Sequence, residues 1–282
     1  MRLLSAVMVA LALAGAAASS TTPVRAAASY LVGAQRQDGG FAEAGRQPDV
    51  SLTAWAALGL VAARSGQEAR AKALAYLRQH EVESQQITDV ALAALARIAL
   101  GDQPDVLFAK LRAARAGGLV NEEIWTILAL RAAREPAPQA LVQDLLKTQA
   151  RGGGWSWTRR GAPDSNDTAA AIEALRAAGV SGRPVTRALA ALRGFRNRDG
   201  GYGLTHGRES DAQSTAWAVQ ALIAAGAKPS ATTWRYLSRL RRPDGSYRYS
   251  ARYGTTPVWV TSQVIPALAG FAYPLPGTGA GD

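Results

Sequence analysis

The feature that most constrains this chain is a phrase it repeats. Leu145, Gln149, Gly153 and Trp155 spell L-x-x-x-Q-x-x-x-G-x-W, and Leu31, Gln35, Gly39 and Phe41 spell it again with Phe as the aromatic residue. Two variants carry Arg in place of Gln: Leu192, Arg196, Gly200 and Tyr202, then Leu237, Arg241, Gly245 and Tyr247. Leu and Gln four apart share one helix face, and a Gln amide at a helix end can bond the exposed backbone groups of the following turn. Glycine lets the backbone reverse where a Cβ would clash, so Gly39-Gly40, Gly152-Gly153-Gly154 and Gly200-Gly201 are each expected to hold a residue at positive φ. Each copy therefore reads as a helix, a glycine turn lidded by an aromatic side chain, and a second helix.

The second helices share a register too. Asp49 to Trp55 lies in the same frame as Asp211 to Trp217, and extending that frame places Val90, Trp125, Ala170 and Trp259 at the Trp55 position. A unit recurring every ~35–47 residues is the signature of stacked supersecondary elements. The count is six helical hairpins, hence twelve helices in an all-α chain. Repeats two and three, between Glu68 and Arg134, are short and read as lacking the glycine turn, which predicts tighter connections on that side. Pro136 and Pro138 break the chain before the fourth repeat. The second helix of each pair is apolar nearly all round, as in Leu92 to Ile98, which is the pattern of a buried helix.

On these residues the chain resembles the terpenoid cyclase and protein prenyltransferase superfamily, whose repeat carries the same Gln…Gly-x-Trp motif. The resemblance implies an (α/α)6 toroid over residues 26–272, with the N-termini of the six inner helices gathered at one rim. In class II cyclases such as the squalene-hopene cyclases, a D-x-D-D-T-A run opens an inner helix and its middle Asp protonates an alkene. The matching run here is Asp164-Ser165-Asn166-Asp167-Thr168-Ala169, so both outer aspartates remain and the donor position holds Asn166. A carboxamide cannot deliver that proton. In prenyltransferases the frame supplies zinc ligands; Asp211 fits the Asp, but Gln213 stands at the Cys position and the chain has no cysteine and only His80 and His206. Thioester domains of the superfamily also need a cysteine. No metal or cofactor is expected, and the β-rich cap of the related B12 carriers is not in this sequence.

What remains is a rim of acids and aromatics. Asp49, Asp89, Glu122, Glu123, Asp164, Asp167 and Asp211 fall near inner-helix starts, where an Asp commonly caps free amides. The expected ligand-binding set is Asp49, Trp55, Trp125, Trp155, Trp157, Asp164, Asn166, Asp167, Tyr202, Asp211, Trp217 and Trp259, with Asp164 and Asp167 as catalytic candidates. Two carboxylates three apart at a helix start repel, and Arg159, Arg160 or a ligand hydroxyl is expected to offset that. Repeated Trp can equally fill wedges between helices, so the sequence leaves open whether the ring is hollow or filled.

The expected function is a secreted, non-catalytic toroid that binds a corrinoid, isoprenoid or glycan, or a protein partner, at this rim. The alternative is an isoprenoid-processing enzyme, related to terpene cyclases or prenyltransferases, in which Asp164 or Asp167 takes over as acid. Residues 1–20 have the layout of a signal peptide, with Arg2, an apolar run from Leu3 to Ala14 and small residues at Ala16 to Ala18. Residues 273–282 read as a disordered Pro/Gly tail in which Leu275 to Gly279 matches the L-P-x-T-G sortase pattern without a following hydrophobic segment. The formal charge of +11 is scattered along helices, so neither a nucleic-acid module nor a membrane span is expected, and the chain reads as a monomer.

Overall fold

The structure, a computed structural model, describes residues 10–80 and 86–275. Twelve helices are described. Six lie inside: α2 (Val50–Ala62), α4 (Ile87–Ala99), α6 (Val120–Ala132), α8 (Ser165–Ala177), α10 (Ala212–Ala224) and α12 (Pro257–Leu268). Six lie outside: α1 (Ala10–Ala34), α3 (Gln67–Gln79), α5 (Asp105–Arg112), α7 (Gln139–Lys147), α9 (Arg183–Gly194) and α11 (Ala231–Leu240). Each inner helix packs against the next, and α12 packs against α2, so the inner ring closes into the expected all-α toroid.

The two rings differ for a reason visible in their sequences. α2 is buried continuously from Leu52 to Ala62, whereas α11 buries only Thr233, Tyr236, Leu237 and Leu240, a stripe at three- and four-residue spacing. The abundant Ala of the inner helices combines high helix propensity with a short side chain, so neighbouring axes can approach closely.

The repeated phrase is what ties one hairpin to the next. Gln149 Nε2 donates to the carbonyl of Gly153 in its own turn at 2.8 Å and to that of Pro184 in α9 at 2.9 Å. Gln35 does the same to Gly39 at 2.9 Å and to Ala69 in α3 at 2.8 Å. Arg196 instead reaches the hydroxyls of Ser230 and Thr232, so the substitution keeps the cross-link and changes its acceptors. Gly39, Gly153 and Gly200 have φ of +89°, +99° and +94°, as expected, and each also lies against the backbone of the next outer helix. Gly245 (φ +90°) meets Ala26 in α1 in the same way, so the last glycine turn docks on the first helix. Gly201 is held by packing instead, because a Cβ there would stand 2.6 Å from Cβ of Ser210. Removing the Gln149 amide by Gln149→Ala is expected to cost about 1–2 kcal/mol for its two hydrogen bonds. Urea denaturation checks this; an unmoved midpoint would show that the cross-link carries no stability.

Each aromatic lid is locked by a threonine. The backbone N–H groups of Phe41, Trp155, Tyr202 and Tyr247 donate to Oγ1 of Thr53, Thr168, Thr215 and Thr261 at 2.9, 3.0, 2.9 and 2.9 Å. Turn and inner helix are thereby one rigid piece.

Three sequence expectations need correction or placement. The third repeat keeps a glycine reversal, with Gly117 at φ +105°; it stands only two residues beyond Arg115, which hid it from the fixed spacing. The tail expected from Tyr273 does not begin there: Tyr273 and Leu275 are buried, and the Tyr273 ring packs against Trp side chains of the inner helices. The leader expectation falls partly outside the described residues, with α1 beginning at Ala10, and residues 276–282, which hold most of the sortase-like pattern, also lie outside them. Among the described residues no helix is long and apolar enough to cross a membrane.

Candidate functional site

The rim is built from helix caps. Asp49, Asp164 and Asp211 each hold an extended backbone at the N-cap of α2, α8 and α10, and each accepts a backbone N–H three residues on, at 2.7, 2.8 and 2.7 Å. Asp211 also accepts the Ser214 hydroxyl at 2.8 Å; burial nevertheless pushes its carboxyl up to about 6. Asp89, Glu122 and Glu123 lie one position class further in, inside the first turns of α4 and α6.

Eight of the twelve expected ligand residues line one cavity of about 400 Å³ that opens at this rim: Trp55, Trp125, Trp157, Asp164, Asn166, Asp167, Trp217 and Trp259. The other four lie outside its lining. Asp49 and Asp211 cap helices outside the cavity. Trp155 is a wedge whose Nε1 donates to the Leu145 carbonyl at 2.8 Å, and Tyr202 is a buried turn lid. The reason is common to all four: the repeat reuses these positions to join hairpins, so their side chains face neighbouring helices instead of the axis.

The tryptophan register answers whether the ring is hollow. Trp55, Trp125 and Trp217 converge from three inner helices, with ring centroids 5.5, 6.0 and 5.7 Å apart and planes near perpendicular. Such edge-to-face packing is the favoured geometry of aromatic pairs. The ring of Tyr273 meets all three at 5.7–6.5 Å. The centre is thus open at the acidic rim and stoppered beyond the indoles. Trp217 is oriented by Gln263, whose Oε1 accepts its Nε1 at 2.8 Å and Gln213 Nε2 at 3.1 Å. Trp157, half-exposed at 49%, stands at the mouth.

At that mouth Asp164 and Asp167 meet the electrostatic problem anticipated from their spacing, but the solution differs. Asp167 Oδ1 accepts Nδ2 of Asn121 from α6 at 2.9 Å. Burial, and after it the neighbouring Asp167, push the Asp164 carboxyl up to about 8, a direction that favours a proton held within the pair. Arg159 is engaged elsewhere: it bonds the carboxylates of Glu123 and Asp144 and the Gly118 carbonyl. Its partner Glu123 is pushed up to about 7 by burial and then by the neighbouring Asp144. A protonated carboxyl facing an indole-lined chamber can donate a hydrogen bond to a ligand oxygen or a proton to an alkene.

Sequence reasoning missed Asn121, Gln263 and Tyr273. The first two lie in other repeats and read as ordinary helix polar residues. For the threonine locks a signal was present, since Thr53, Thr168 and Thr215 each follow a capping Asp by four.

The family model for the squalene-hopene cyclase C-terminal domain matches residues 120–258. No protein of curated function matches the sequence significantly. Among solved structures, the type II terpene cyclase MstE from Scytonema superposes with a TM-score of 0.68 at 17% identity, covering 89% of this chain and 97% of that one. A variant of that cyclase was solved in complex with its substrate, geranylgeranyl dihydroxybenzoate. A protein from Actinoplanes matches with a TM-score of 0.60 at 19% identity, covering 89% of this chain and 99% of that one. The ent-copalyl diphosphate synthase of Streptomyces platensis matches over 78% of this chain and 50% of its own, with a TM-score of 0.52 at 19% identity. Residues 120–258 are thus similar to the C-terminal domain of squalene-hopene cyclases, and the chain as a whole shares the all-α toroid fold of the type II terpene cyclases.

Proposed function

We propose that the toroid binds an isoprenoid-type chain, its apolar body among the indoles and its polar end at Asp164, Asn166 and Asp167. The observation that carries this reading is the chamber itself: Trp55, Trp125, Trp217 and Trp259 lining one cavity whose mouth holds the carboxyl pair. Indole faces suit alkenes and the cations derived from them, and a volume of about 400 Å³ is within the usual range for small-molecule sites. A complete corrinoid is too bulky for it, and a glycan would want more polar walls. The cyclase relative that takes a geranylgeranyl substrate is matched over 97% of its chain, which supports a site of this extent being enough for such a ligand. The leader-like start of the sequence supports action outside the cytoplasm. Titration of the purified protein with geranylgeraniol, followed by tryptophan fluorescence, tests the reading. Saturable binding is expected, weakened about tenfold or more in Trp125→Ala, as lost apolar contacts in a pocket imply. Binding that is absent, or indifferent to Trp125, would sink it.

A second reading, acid-catalysed cyclisation, is favoured by one feature, a carboxyl at the chamber wall, Asp164, whose burial favours its protonated form. Asp164 would add that proton to a terminal alkene, ring closure would follow, and a proton would leave the final cation, so the product is an isomer of the substrate. An isomer of geranylgeraniol, separated by chromatography and absent with Asp164→Asn, would establish catalysis; unchanged substrate after prolonged incubation leaves binding as the function.

A further inference from the structure

The chamber at the rim carries one sign of charge in a protein of the other. Lysine and arginine outnumber aspartate and glutamate by 32 to 21, for a formal charge of +11. Yet Asp89, Asp164 and Asp167 line the chamber, and no Lys, Arg or His among the described residues does. Arg159, on the loop that leads to α8, is engaged by Glu123, Asp144 and the Gly118 carbonyl. Capping explains Asp164, which accepts the Asp167 N–H. Asp167, 6% exposed beside it, adds a second acid that capping does not need.

The hydrogen-bonding groups of the lining show the same bias. Asn121 is 5% exposed and donates its Nδ2 to Asp167 Oδ1 at 2.9 Å. Its Oδ1 has no partner among the described residues, and a buried acceptor left so has a cost unless something donates to it. Gln213 likewise donates its Nε2 within the lining, to Gln263. Two amide donors are thus used by the protein itself, and an amide acceptor remains beside the carboxyl pair. Around them stand Trp157 and Trp259, with Trp55, Trp125 and Trp217 deeper in. Indole faces are negative and attract cations, and quaternary ammonium groups are held in aromatic cages for that reason. A diphosphate would instead lose its water against carboxyls and ring faces, with no cation in the lining to offset its charge.

We propose that the chamber selects a ligand whose head group is a cation of the ammonium type and rejects an anionic head group such as a diphosphate. The proposal rests on the isoprenoid reading for the ligand's apolar body, while the head group is read from the lining. The protein's overall positive charge opposes a cation, so a preference for one has to come from the chamber.

The test uses one chain with three ends: geranylgeranylamine, geranylgeraniol and geranylgeranyl diphosphate, each titrated against the full chain at neutral pH and followed by tryptophan fluorescence. The amine, as its ammonium form, is expected to bind about tenfold or more tighter than the alcohol, as a desolvated cation against aromatic faces and a carboxylate implies. The diphosphate should bind more weakly than either. Asp167→Asn removes charge at nearly constant shape and should erase most of the amine-to-alcohol ratio. Should that variant lose its helical circular dichroism, Asp164→Asn, which keeps the N-cap, carries the comparison. Equal affinity for amine and alcohol, a diphosphate that binds as tightly as the amine, or a ratio unchanged in the folded variant overturns the proposal and leaves the isoprenoid reading standing. If none of the three binds, the isoprenoid reading fails, and benzyltrimethylammonium against benzyl alcohol decides the charge preference. A saturable response to the cation alone, weakened in the folded variant, supports it; an equal response, or none, overturns it.

Discussion

Gly153→Val is expected to be among the most damaging single substitutions in this protein, costing about 3 kcal/mol or more. Two independent costs meet at one atom. Gly153 has φ +99°, which a β-branched residue adopts only under strain. The added Cβ would also stand 2.4 Å from the carbonyl oxygen and 2.8 Å from the carbonyl carbon of Arg187 in α9. Neither side can give way cheaply. Gly153 is pinned by its N–H to Ala150 at 2.8 Å and by Gln149 on its carbonyl, while Arg187 sends its guanidinium back to the carbonyls of Ala150 and Arg151 at 3.0 and 2.9 Å. Gly152→Ala supplies the contrast, since nothing lies within 4 Å of its Cβ position, and should stay within about 0.5 kcal/mol of wild type. Thermal melts of both variants check this. Equal melting temperatures would mean that the turn is an ordinary loop and that the hairpins are joined by some other contact.

That contrast shows why the fold was legible in the sequence. A toroid repeats its joints, so the residues that make a joint recur at fixed spacing, and Gln35, Gly39 and Phe41 announce the same geometry as Gln149, Gly153 and Trp155. The tryptophan register was legible for the same reason: a frame anchored by capping Asp49 and Asp211 places Trp55 and Trp217 at equal depth, and equal depth in a ring means convergence on the axis.

What breaks the repeat was not legible. Asn121 bonds Asp167 across 46 positions of sequence and has no counterpart elsewhere in the frame. Arg159 was expected at the carboxyl pair because it lies close in sequence, yet the deeply buried Glu123 claims it. Tyr273 sits in a Pro- and Gly-rich composition that ordinarily marks a free end, and only burial among three indoles distinguishes it. Glu173 is a lone acid in the middle of an inner helix and is fully buried in space. Function collects at these departures from the repeat. Packing dictates the repeated positions, and the unrepeated polar ones have a cost that packing does not require.

The same departures predict an unusual pH profile: the protein should lose at least about 3 kcal/mol of stability between about pH 5 and pH 8, the share of Asp164 alone. The sign follows from four raised carboxyls. In the unfolded chain each titrates near pH 4, whereas in the fold Asp211 is pushed up to about 6, Glu123 to about 7, Asp164 to about 8 and Glu173 well above its ordinary value, burial being the first cause in every case. Below about pH 4 both states hold these protons and nothing is lost. As pH rises the unfolded chain releases them and the fold retains them, so each group subtracts up to about 1.4 kcal/mol per pH unit until its folded value is passed. Carboxyls shifted the other way limit the acid side. Burial opposes the shift at Asp102, but the Arg78 and Arg97 guanidiniums hold its carboxyl down at about 2, and Arg159 lowers Asp144, so their stabilisation is present above the unfolded value and is lost as pH falls below about 4. Maximum stability is therefore expected near pH 4–5, where carboxyls of ordinary exposure give broader optima toward neutrality. Asp164→Asn keeps an N-cap of equal quality, so it should match wild type near pH 5 and melt at a higher temperature near pH 8. A melting temperature that is level or rising from pH 5 to pH 8 would show that these carboxyls ionise in the fold, and with it the proton at the chamber wall would be lost as a basis for hydrogen bonding or acid chemistry.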